Sequence, residues 1–526
     1  MLGTIFGRQL QGQRLGRLKA PNRIRTGLQV ESLEDRTVPA VLLVDLAHYT
    51  TIQAAINAAN PGDQIRIAPG TYTEQLALGA GKDRVTLNPS SGNGVVTVQA
   101  PAVLDTVHHN AVVDISTSQN VRIIGLTILG NANTQFGIRV DAGGSAFIRD
   151  NNISNILAGD AAAILVGRDQ TDDNTTGTAT ILHNTISNYT KAGIVVDNAG
   201  SSALVSLNSV TGIGPDPNLV QYGIQVSHGA NADVRGNTIS GNVNSANNGI
   251  ESGGILVWAA GAATEIENNK LTNNQDGIFL FQAVSVDIEH NHSFANSADG
   301  IVVVDSRCNE IVHNEVNNNG RDGISVYGGD PYTNDDGSVV PVGGHNDIGW
   351  NSSHDNAGNG FHFDYTATTN PNGVSANNAV VFNSATNNGG DGFLLVGASH
   401  NLIWQNRADR NQQSGFAFTA ASDGNLIAAN HADFNQQYGF AFLGNSDGNL
   451  VARNIAFHNA AFGFNESAGS DNTFVCNVAF GNGLKGKMNF SSNIEQDISA
   501  HDFEDFNCDW GVSDDCLSDL LNWGDD

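Results

Sequence analysis

A short motif, glycine followed by isoleucine or phenylalanine, recurs along this chain at a nearly constant interval. The glycines of the motif are Gly137, Gly193, Gly223, Gly254, Gly277, Gly300, Gly323, Gly360, Gly392, Gly415, Gly439 and Gly463, with Ala163 substituting once. From Gly254 onward the intervals are 23, 23, 23, 37, 32, 23, 24 and 24 residues. An asparagine column keeps the same interval, at Asn184, Asn208, Asn237, Asn269, Asn291, Asn314, Asn351, Asn383, Asn406, Asn430, Asn454 and Asn477. Two columns with one period indicate a single structural repeat.

Each repeat is too short to bury an apolar face of its own, and it lacks a helical period, so it has to stack on its neighbours. Short strands joined by turns, with one coil every ~4.8 Å and alternate apolar residues inside, meet that requirement. The sequence therefore predicts an all-β fold, a single-stranded right-handed parallel β-helix. We expect the glycines to occupy positions of positive φ, and the asparagine amides to hydrogen-bond from coil to coil.

The N-terminal part predicts one short amphipathic helix ahead of the first strands. Ile52, Ala55 and Ile56 fall on one face of the segment 50–59, which a Pro-Gly-Asp turn follows. An alternating strand and the segment Gly70-Thr-Tyr-Thr-Glu74 come next. This opening resembles that of pectin-lyase-like right-handed β-helix proteins, which include pectin methylesterases and periplasmic copper-site maturation proteins. The resemblance implies that the helix caps the open end of the coil.

The formal net charge of -29 excludes a nucleic-acid binder that depends on phosphate attraction. The charge is uneven, because residues 1–40 carry +4 and the remainder carries -33. We therefore predict a basic leader over 1–40, a β-helix over 41–487 and an acidic tail or cap over 488–526. The leader contains no apolar run long enough for a membrane span. The stretch 31–40 resembles a leader of exported and surface β-helix proteins of some bacteria, which implies a secreted or cell-surface location; a disordered basic tail is the alternative.

The four cysteines lack the Cys-x-x-Cys spacing of a zinc site. In an exported protein Cys508 and Cys516 pair with each other, or one of them pairs with Cys476, and the sequence does not choose between these options. Aromatic residues in the tail favour its folding over the last coil, whose strand edges would otherwise be unpaired.

Functional sites of a β-helix are expected where turns lengthen and where outward side chains depart from the repeat. Two consecutive coils are long, with about 14 extra residues after Gly323 and about nine after Gly360. If the residue after each glycine points inward, strand alternation turns the second and fourth residues after that glycine outward. The outward pairs are then Leu256 and Trp258, Phe279 and Phe281, Val302 and Val304, Ser325 and Tyr327, His362 and Asp364, and Leu394 and Val396.

This aromatic stripe, followed by a polar patch, suits the sugar rings and the proton chemistry of a polysaccharide. The predicted substrate contacts are Trp258, Phe279, Phe281, Tyr332, His345 and Tyr365. The predicted catalytic candidates are His362, Asp364, Tyr327 and Arg321. The candidate Ca²⁺ ligands are Asp330, Asp335 and Asp336, whose spacing does not match an EF-hand. The structural alternative is that the aspartates before the glycines belong to the turns, that a loop covers the stripe, and that the histidines are exposed loop residues.

No complete active-site motif of a known family is present. The Gly70–Glu74 segment is like the first pectin methylesterase motif, but the later motifs are missing. Gly344-His345 is similar to one fragment of polygalacturonases, and Asp330-Pro331-Tyr332 only approaches the Asp-Pro-His motif of alginate C5-epimerases. The sequence predicts an exported or cell-surface protein that binds a polysaccharide or cell-envelope glycan along its lateral groove. The alternative is a uronate lyase, C5-epimerase or glycoside hydrolase that acts at coils 321–372. The negative charge favours a neutral glycan or a structural role.

Overall fold

The computed structural model describes residues 38–483, apart from residue 46 and residues 92–93, 168–174, 247–248, 329–331, 334–338, 341–342, 366–375 and 467–470. At 332–333 and 339–340 it describes the backbone alone. The predicted acidic tail and all but the last residues of the predicted leader lie outside this part of the chain, as do Asp330, Asp335 and Asp336. The boundaries of those two segments and the calcium site stay predictions.

Three long parallel sheets, which we name A, B and C, form a β-helix in the described residues. Sheet A contains Val41–Val44, Gln64–Ile67, Thr86–Pro89, Val121–Ile124, Gly144–Arg149, Gly177–Leu182, Ser202–Ser206, Asn231–Arg235, Glu265–Glu267, Asp287–Glu289, Glu310–Val312, Asp347–Gly349, Ala379–Val381, Leu402–Trp404, Leu426–Ala428, Leu450–Ala452 and Thr473–Val475. Sheet B contains Gly70–Thr73, Val96–Gln99, Thr127–Leu129, Asn152–Ile156, Thr185–Tyr189, Ser209–Asp216, Thr238–Asn244, Lys270–Thr272, His292–Phe294, Glu315–Asn317, Ser352–His354, Ser384–Thr386, Arg407–Asp409, His431–Asp433, Ile455–Phe457 and Val478–Phe480. Sheet C contains Leu76–Leu78, Ala111–Ser116, Phe136–Asp141, Ala162–Gly167, Ala192–Asp197, Tyr222–Ser227, Gly253–Trp258, Asp276–Phe281, Ile301–Val304, Ile324–Tyr327, Phe361–Asp364, Phe393–Val396, Phe416–Thr419, Phe440–Phe442 and Phe464–Glu466.

The predicted helix is present as Ile52–Ala58, and its apolar face joins the core. The Thr51 side chain accepts the Ala54 N–H at 3.1 Å, which caps the first turn. The Glu74 carboxylate accepts the N–H groups of Ile52 and Gln53, both at 2.9 Å. The glutamate that ends the Gly70–Glu74 segment therefore holds the start of the helix, where an anion is favoured.

Inward side chains from all three sheets form one continuous apolar core. In the later coils of sheet C the inward residue is phenylalanine, and the rings of Phe361, Phe393, Phe416, Phe440 and Phe464 stack with centroids 4.6 to 4.8 Å apart. Neighbouring rings are within 6° of parallel. That spacing equals the strand separation of a sheet, so the register of the coils fixes the ring stack.

Asparagine ladders run along the coil at its corners, which confirms the predicted amide stacking. In the ladder expected from the sequence, each asparagine Oδ1 accepts the backbone N–H and the side-chain Nδ2–H of the equivalent asparagine on the preceding coil. Asn430 Oδ1, for example, accepts Asn406 N–H at 2.9 Å and Asn406 Nδ2–H at 3.1 Å. Two further ladders are present: Asn242, Asn274, Asn296, Asn319, Asn356, Asn388, Asn411, Asn435, Asn459 and Asn482, and Asn309, Asn346, Asn378, Asn401, Asn425, Asn449 and Asn472.

The role expected for the repeated glycines is wrong. Gly277, Gly300 and Gly439 do not have positive φ; histidines, asparagines and other residues at the turns adopt it instead. A Cβ on Gly439 would stand 2.5 Å from the Gly463 carbonyl oxygen and 2.7 Å from Ala456 Cβ. At Gly439 the next coil therefore leaves no room for a Cβ, although Ala163 occupies the equivalent position on one earlier coil.

Candidate functional site

The outer face of sheet C carries most of the residues that the sequence singled out. The inward positions Ile278 and Leu280 are fully buried, whereas the alternate positions Phe279 and Phe281 lie on the outer surface. The same alternation holds at Phe361–Asp364, where His362 and Asp364 face outward. Adjacent strands pair Ser325 with His362, and Tyr327 with Asp364. Three of the four predicted catalytic residues, Tyr327, His362 and Asp364, are therefore neighbours on one face.

A column of carboxylates borders this face, one residue before the repeated glycines Gly277, Gly300, Gly323 and Gly392. Asp276 Oδ1 accepts the Asp299 N–H at 3.0 Å, and Asp299 Oδ1 accepts the Asp322 N–H at 2.8 Å. Asp391 Oδ1 accepts the Ser414 N–H at 2.6 Å two coils further on. These side chains link successive coils as the asparagine ladders do, which confirms the structural interpretation given for them.

Arg321 crosses the carboxylate column and engages three acids. Its Nη2 atom lies 2.7 Å from Glu251 Oε1, 3.2 Å from Asp299 Oδ2 and 3.5 Å from Asp276 Oδ1. Burial raises the pKa of Asp299 to about 6, against the attraction of Arg321. Burial, Glu251 and Asp299 together raise the pKa of Asp276 well above its ordinary value. The positive charge of Arg321 is thus committed to the protein's own carboxylates.

His362 forms the best-defined polar pair of this face. Its Nδ1 atom lies 2.8 Å from Asp322 Oδ2, and both side chains are largely buried. Burial lowers the pKa of His362, but the hydrogen bond and charge of Asp322 outweigh burial, and the net pKa is raised. Nε2 has no hydrogen-bond partner within the described part of the chain. A ring held in this way can donate or accept a proton through Nε2.

Tyr327 stands beside this pair. Its ring meets the His362 imidazole edge-on, with centroids 5.7 Å apart. Burial, followed by the charge of Asp299, raises the Tyr327 pKa above its ordinary value, so the phenol stays protonated at neutral pH. The group formed by Tyr327, His362, Asp322 and Arg321, which we call the histidine cluster, therefore offers acid and base groups within one small area.

Two of the predicted substrate contacts, Tyr365 and His345, are not brought to this face. Tyr365 is only 2 % exposed and its hydroxyl accepts from Asn378, so it is a core residue, and its assignment as a substrate contact is wrong. His345 is exposed, but it precedes the sheet A strand Asp347–Gly349 and so lies away from His362. Tyr332 belongs to a two-residue strand paired antiparallel with Val339–Val340. The side-chain position of Tyr332 lies outside the described atoms.

The aromatic stripe is present on the coils before the histidine cluster. Trp258 and Phe281 have ring centroids 6.2 Å apart, and Phe281 and Phe279 lie 6.4 Å apart. Trp258 is 37 % exposed, and the two phenylalanines are half-buried. Within the described residues the indole ring of Trp258 is therefore exposed enough to contact a ligand.

A cleft next to Trp258 was not predicted. It has a volume of about 230 Å³, and its lining includes Lys191, Asp197, Gln225, His228 and Trp258. Asp197 Oδ1 lies 2.6 Å from His228 Nδ1 and accepts the Ser227 hydroxyl at 2.9 Å. Asp197, Ser227 and Trp258 share one outward column, so extending the outward pairs to earlier coils would have revealed the cleft.

Two cysteines fall in the described residues. Cys308 is a free, exposed thiol, and Cys476 is disulfide-bonded. Cys508 and Cys516 lie outside the described part of the chain. No helix within the described residues has the length and apolar character that a membrane crossing requires.

A family model for the right-handed beta helix region matches residues 83–239, 173–340 and 332–479. A search of curated proteins gives no significant match. Among solved structures, the periplasmic alginate epimerase AlgG is 12 % identical over 79 % of this chain and 77 % of its own, with a TM-score of 0.35. The complex of XylC with xylose gives 12 % identity over 68 % of this chain and 83 % of that chain, with a TM-score of 0.44.

The A-module of the Azotobacter vinelandii mannuronan C-5 epimerase AlgE4 is 14 % identical over 81 % of this chain and 92 % of its own, with a TM-score of 0.32. At such identities and scores the likeness of these proteins carries no information about substrate or reaction.

Proposed function

Because the chain belongs to the right-handed beta helix family, we propose that its functional surface is the outer face of sheet C, and that this face binds a polysaccharide. One observation carries the proposal: the cleft, the aromatic stripe and the histidine cluster lie on the same face, on successive coils. A linear glycan laid along the coil axis would contact all three. A β-helix offers such a repeating groove without any change of fold.

The charges of this face favour a neutral glycan. The Arg321 guanidinium is shared among Glu251, Asp299 and Asp276, so it is not available to neutralise a uronate carboxylate. Further carboxylates, Asp322 and Asp364, flank His362. An acidic polymer would meet repulsion here, whereas hydroxyl-rich sugars would find acceptors together with an aromatic platform at Trp258.

Catalysis at the histidine cluster is the second candidate function. The observation that favours it is the 2.8 Å pair of His362 and Asp322, because a carboxylate that holds Nδ1 fixes the ring orientation needed by a general base or acid. The raised pKa of Asp299, about 6, adds a carboxyl group that is partly protonated near neutral pH. Cleavage of a glycosidic bond needs a general acid together with a base or nucleophile, roles that a pair of carboxyl groups usually fills.

Binding and catalysis are separated by one set of assays. Isothermal titration calorimetry with neutral glycans (xylan, mannan, glucan) and with acidic ones (alginate, pectate) tests binding. Reducing-end release, absorbance of unsaturated products and NMR of epimerised residues test turnover. We expect Trp258→Ala to weaken binding and His362→Ala to leave binding largely intact. Tighter binding of acidic than of neutral glycans would contradict the proposed specificity, and binding by no glycan would overturn the function.

The location follows from the proposed ligand. A protein that binds an extracellular or cell-envelope polysaccharide has to be exported, and we propose a secreted or surface location on that ground. Fractionation of the source cells, with detection by an antibody against the β-helix, would test the location. Recovery of the protein in the cytosol alone would contradict this part of the proposal.

A further inference from the structure

Sheet B carries a second group of titratable side chains, on the coils that follow the long loops. Asp409 and Asp433 occupy the same position on adjacent strands, and so do Arg407 and His431. One ligand atom from each of Asp409, His431 and Asp433 lies within 4.8 Å of the others. Two carboxylates and an imidazole at such distances are a donor set for a divalent transition metal.

The two carboxylates are incompletely satisfied. Asp409 is only 3 % exposed and Asp433 9 %. Arg407 Nε binds Asp409 Oδ2, but Asp409 Oδ1 is buried and has no hydrogen-bond partner among the described residues. Asp433 Oδ1 is likewise buried without a hydrogen-bond partner in the described part of the chain, while Asp433 Oδ2 lies 3.4 Å from His431 Nδ1. Buried carboxylate oxygens are costly without a partner, so something not supplied by these side chains is required there.

The charge balance points the same way. One guanidinium, that of Arg407, stands against two carboxylates stacked one coil apart. Two carboxylates at paired register positions on adjacent strands repel each other when both are charged. A cation between the carboxylates would remove this repulsion and use both orphan oxygens.

The surroundings limit what fits. Phe457 follows Asp433 in register on the next strand, and its ring meets the His431 imidazole edge-on at 5.7 Å. Thr386 precedes Asp409 in register on the other side. His431 is half-buried, so one side of the group remains open to solvent. An ion held there keeps room for water, as three-ligand zinc sites do.

We propose that Asp409, His431 and Asp433 bind one divalent transition-metal ion of the Zn²⁺ class and thereby clip two adjacent coils of sheet B together. This site is independent of the proposed glycan surface, which belongs to sheet C. The imidazole makes the site selective against Ca²⁺, which takes oxygen ligands alone. Because the folded chain alone brings the three residues together, binding stabilises the fold.

Calorimetric titration of ZnCl₂ into full-length protein, freed of any affinity tag and of metal, tests the proposal. We expect one equivalent of Zn²⁺ to bind, with a rise in Tm. His431→Ala should lower the Zn²⁺ affinity by more than about 100-fold. Even residues that only hydrogen-bond to a metal ligand change metal affinity by about 10–100-fold when they are replaced. Asp433→Asn should do the same. His354→Ala is the matched control, because His354 is also a half-buried sheet B histidine beside carboxylates, Asp355 and Glu315.

Failure of the wild type to bind Zn²⁺, or undiminished Zn²⁺ binding by His431→Ala, overturns the proposal. A proton shared by the two carboxylates would then explain their unpartnered oxygens. If a variant fails to fold, X-ray absorption of the Zn²⁺-loaded wild type decides: one imidazole with oxygen ligands supports the site, and a shell of oxygen alone or one containing sulfur contradicts it. Equal binding of Ca²⁺ also contradicts it.

Discussion

His362 Nδ1 lies 2.8 Å from Asp322 Oδ2, although 40 residues separate the two in the sequence. The two residues meet because they stand on adjacent coils of sheet C, with a long loop between them. Asp322 has two roles: its Oδ1 atom also accepts the side-chain amide of Asn359 at 2.9 Å. One carboxylate therefore both links two coils and orients the histidine.

Replacing Asp322 by asparagine is expected to lower the pKa of His362. Burial, which opposes the charged ring, would then act without the hydrogen bond and charge that now outweigh it. NMR of the imidazole as a function of pH measures the change. Asp364→Asn is the matched control, with a smaller expected effect, because Asp364 contributes charge but no hydrogen bond to the ring. An unchanged pKa in Asp322→Asn would show that the pair does not govern the histidine.

Asp391→Asn is expected to stabilise the protein at neutral pH. Burial raises the pKa of Asp391 to about 6, against the Ser414 hydrogen bonds. A carboxyl whose folded pKa is raised contributes stability below its unfolded pKa of about 4, and this contribution is lost as the pH rises through 6. The asparagine keeps the acceptor for Ser414 and avoids the buried charge. We expect a gain of order 1–3 kcal/mol at pH 7.5 in urea unfolding.

The pH dependence supplies the control for Asp391. Wild-type stability attributable to this residue should increase between pH 7 and pH 4, and the variant should lose that component. Asp364→Asn, for which burial is less, should not reproduce the gain. Equal pH profiles for the wild type and Asp391→Asn would refute the assignment.

The fold was predictable because its signals are periodic. The interval of the glycines fixes the coil, and inward Ile278 and outward Phe279 follow from alternation alone. The reason for the glycines was not predictable from local preference: Gly439 is required by the neighbouring Gly463 carbonyl oxygen, which belongs to a different coil. The asparagines of the two additional ladders also recur at the interval of the coil. The sequence alone does not distinguish them from asparagines that favour turns.

The candidate site was predictable in part. Tyr327, His362 and Asp364 were placed on one face because each lies at a fixed offset from its glycine. The pairing of Asp322 with His362 was not predictable, because the alignment of these two residues depends on where the long loop between them ends. Tyr365 directly follows Asp364, and the same alternation turns it inward, so its burial was predictable from the sequence.

Asn430→Ala is expected to destabilise the protein by about 3 kcal/mol, because several buried groups lose partners at once. Asn430 Oδ1 accepts two bonds from Asn406, and its Nδ2 atom donates to the Ile403 carbonyl at 2.7 Å and to Asn454 at 3.0 Å. Chemical unfolding followed by circular dichroism measures the loss. Asn218→Ala, at an exposed turn, should change stability little. Similar effects of the two substitutions would argue against an energetic role for the ladder.

Gly439→Ala separates the two explanations for the repeated glycines. Positive φ cannot make alanine costly at Gly439, because the φ of Gly439 is not positive. If conformational freedom were the only reason for the glycines, Gly439→Ala would therefore cost little. The structure instead predicts a loss of at least about 2 kcal/mol, because the new methyl would stand 2.5 Å from the Gly463 carbonyl oxygen and force adjacent coils apart. Gly159→Ala is the matched control, since a Cβ at Gly159 would meet nothing within 4 Å and its φ is not positive. Comparable midpoints of urea unfolding for Gly439→Ala and Gly159→Ala would mean that the coils can separate without cost, and the close-approach explanation would then fail.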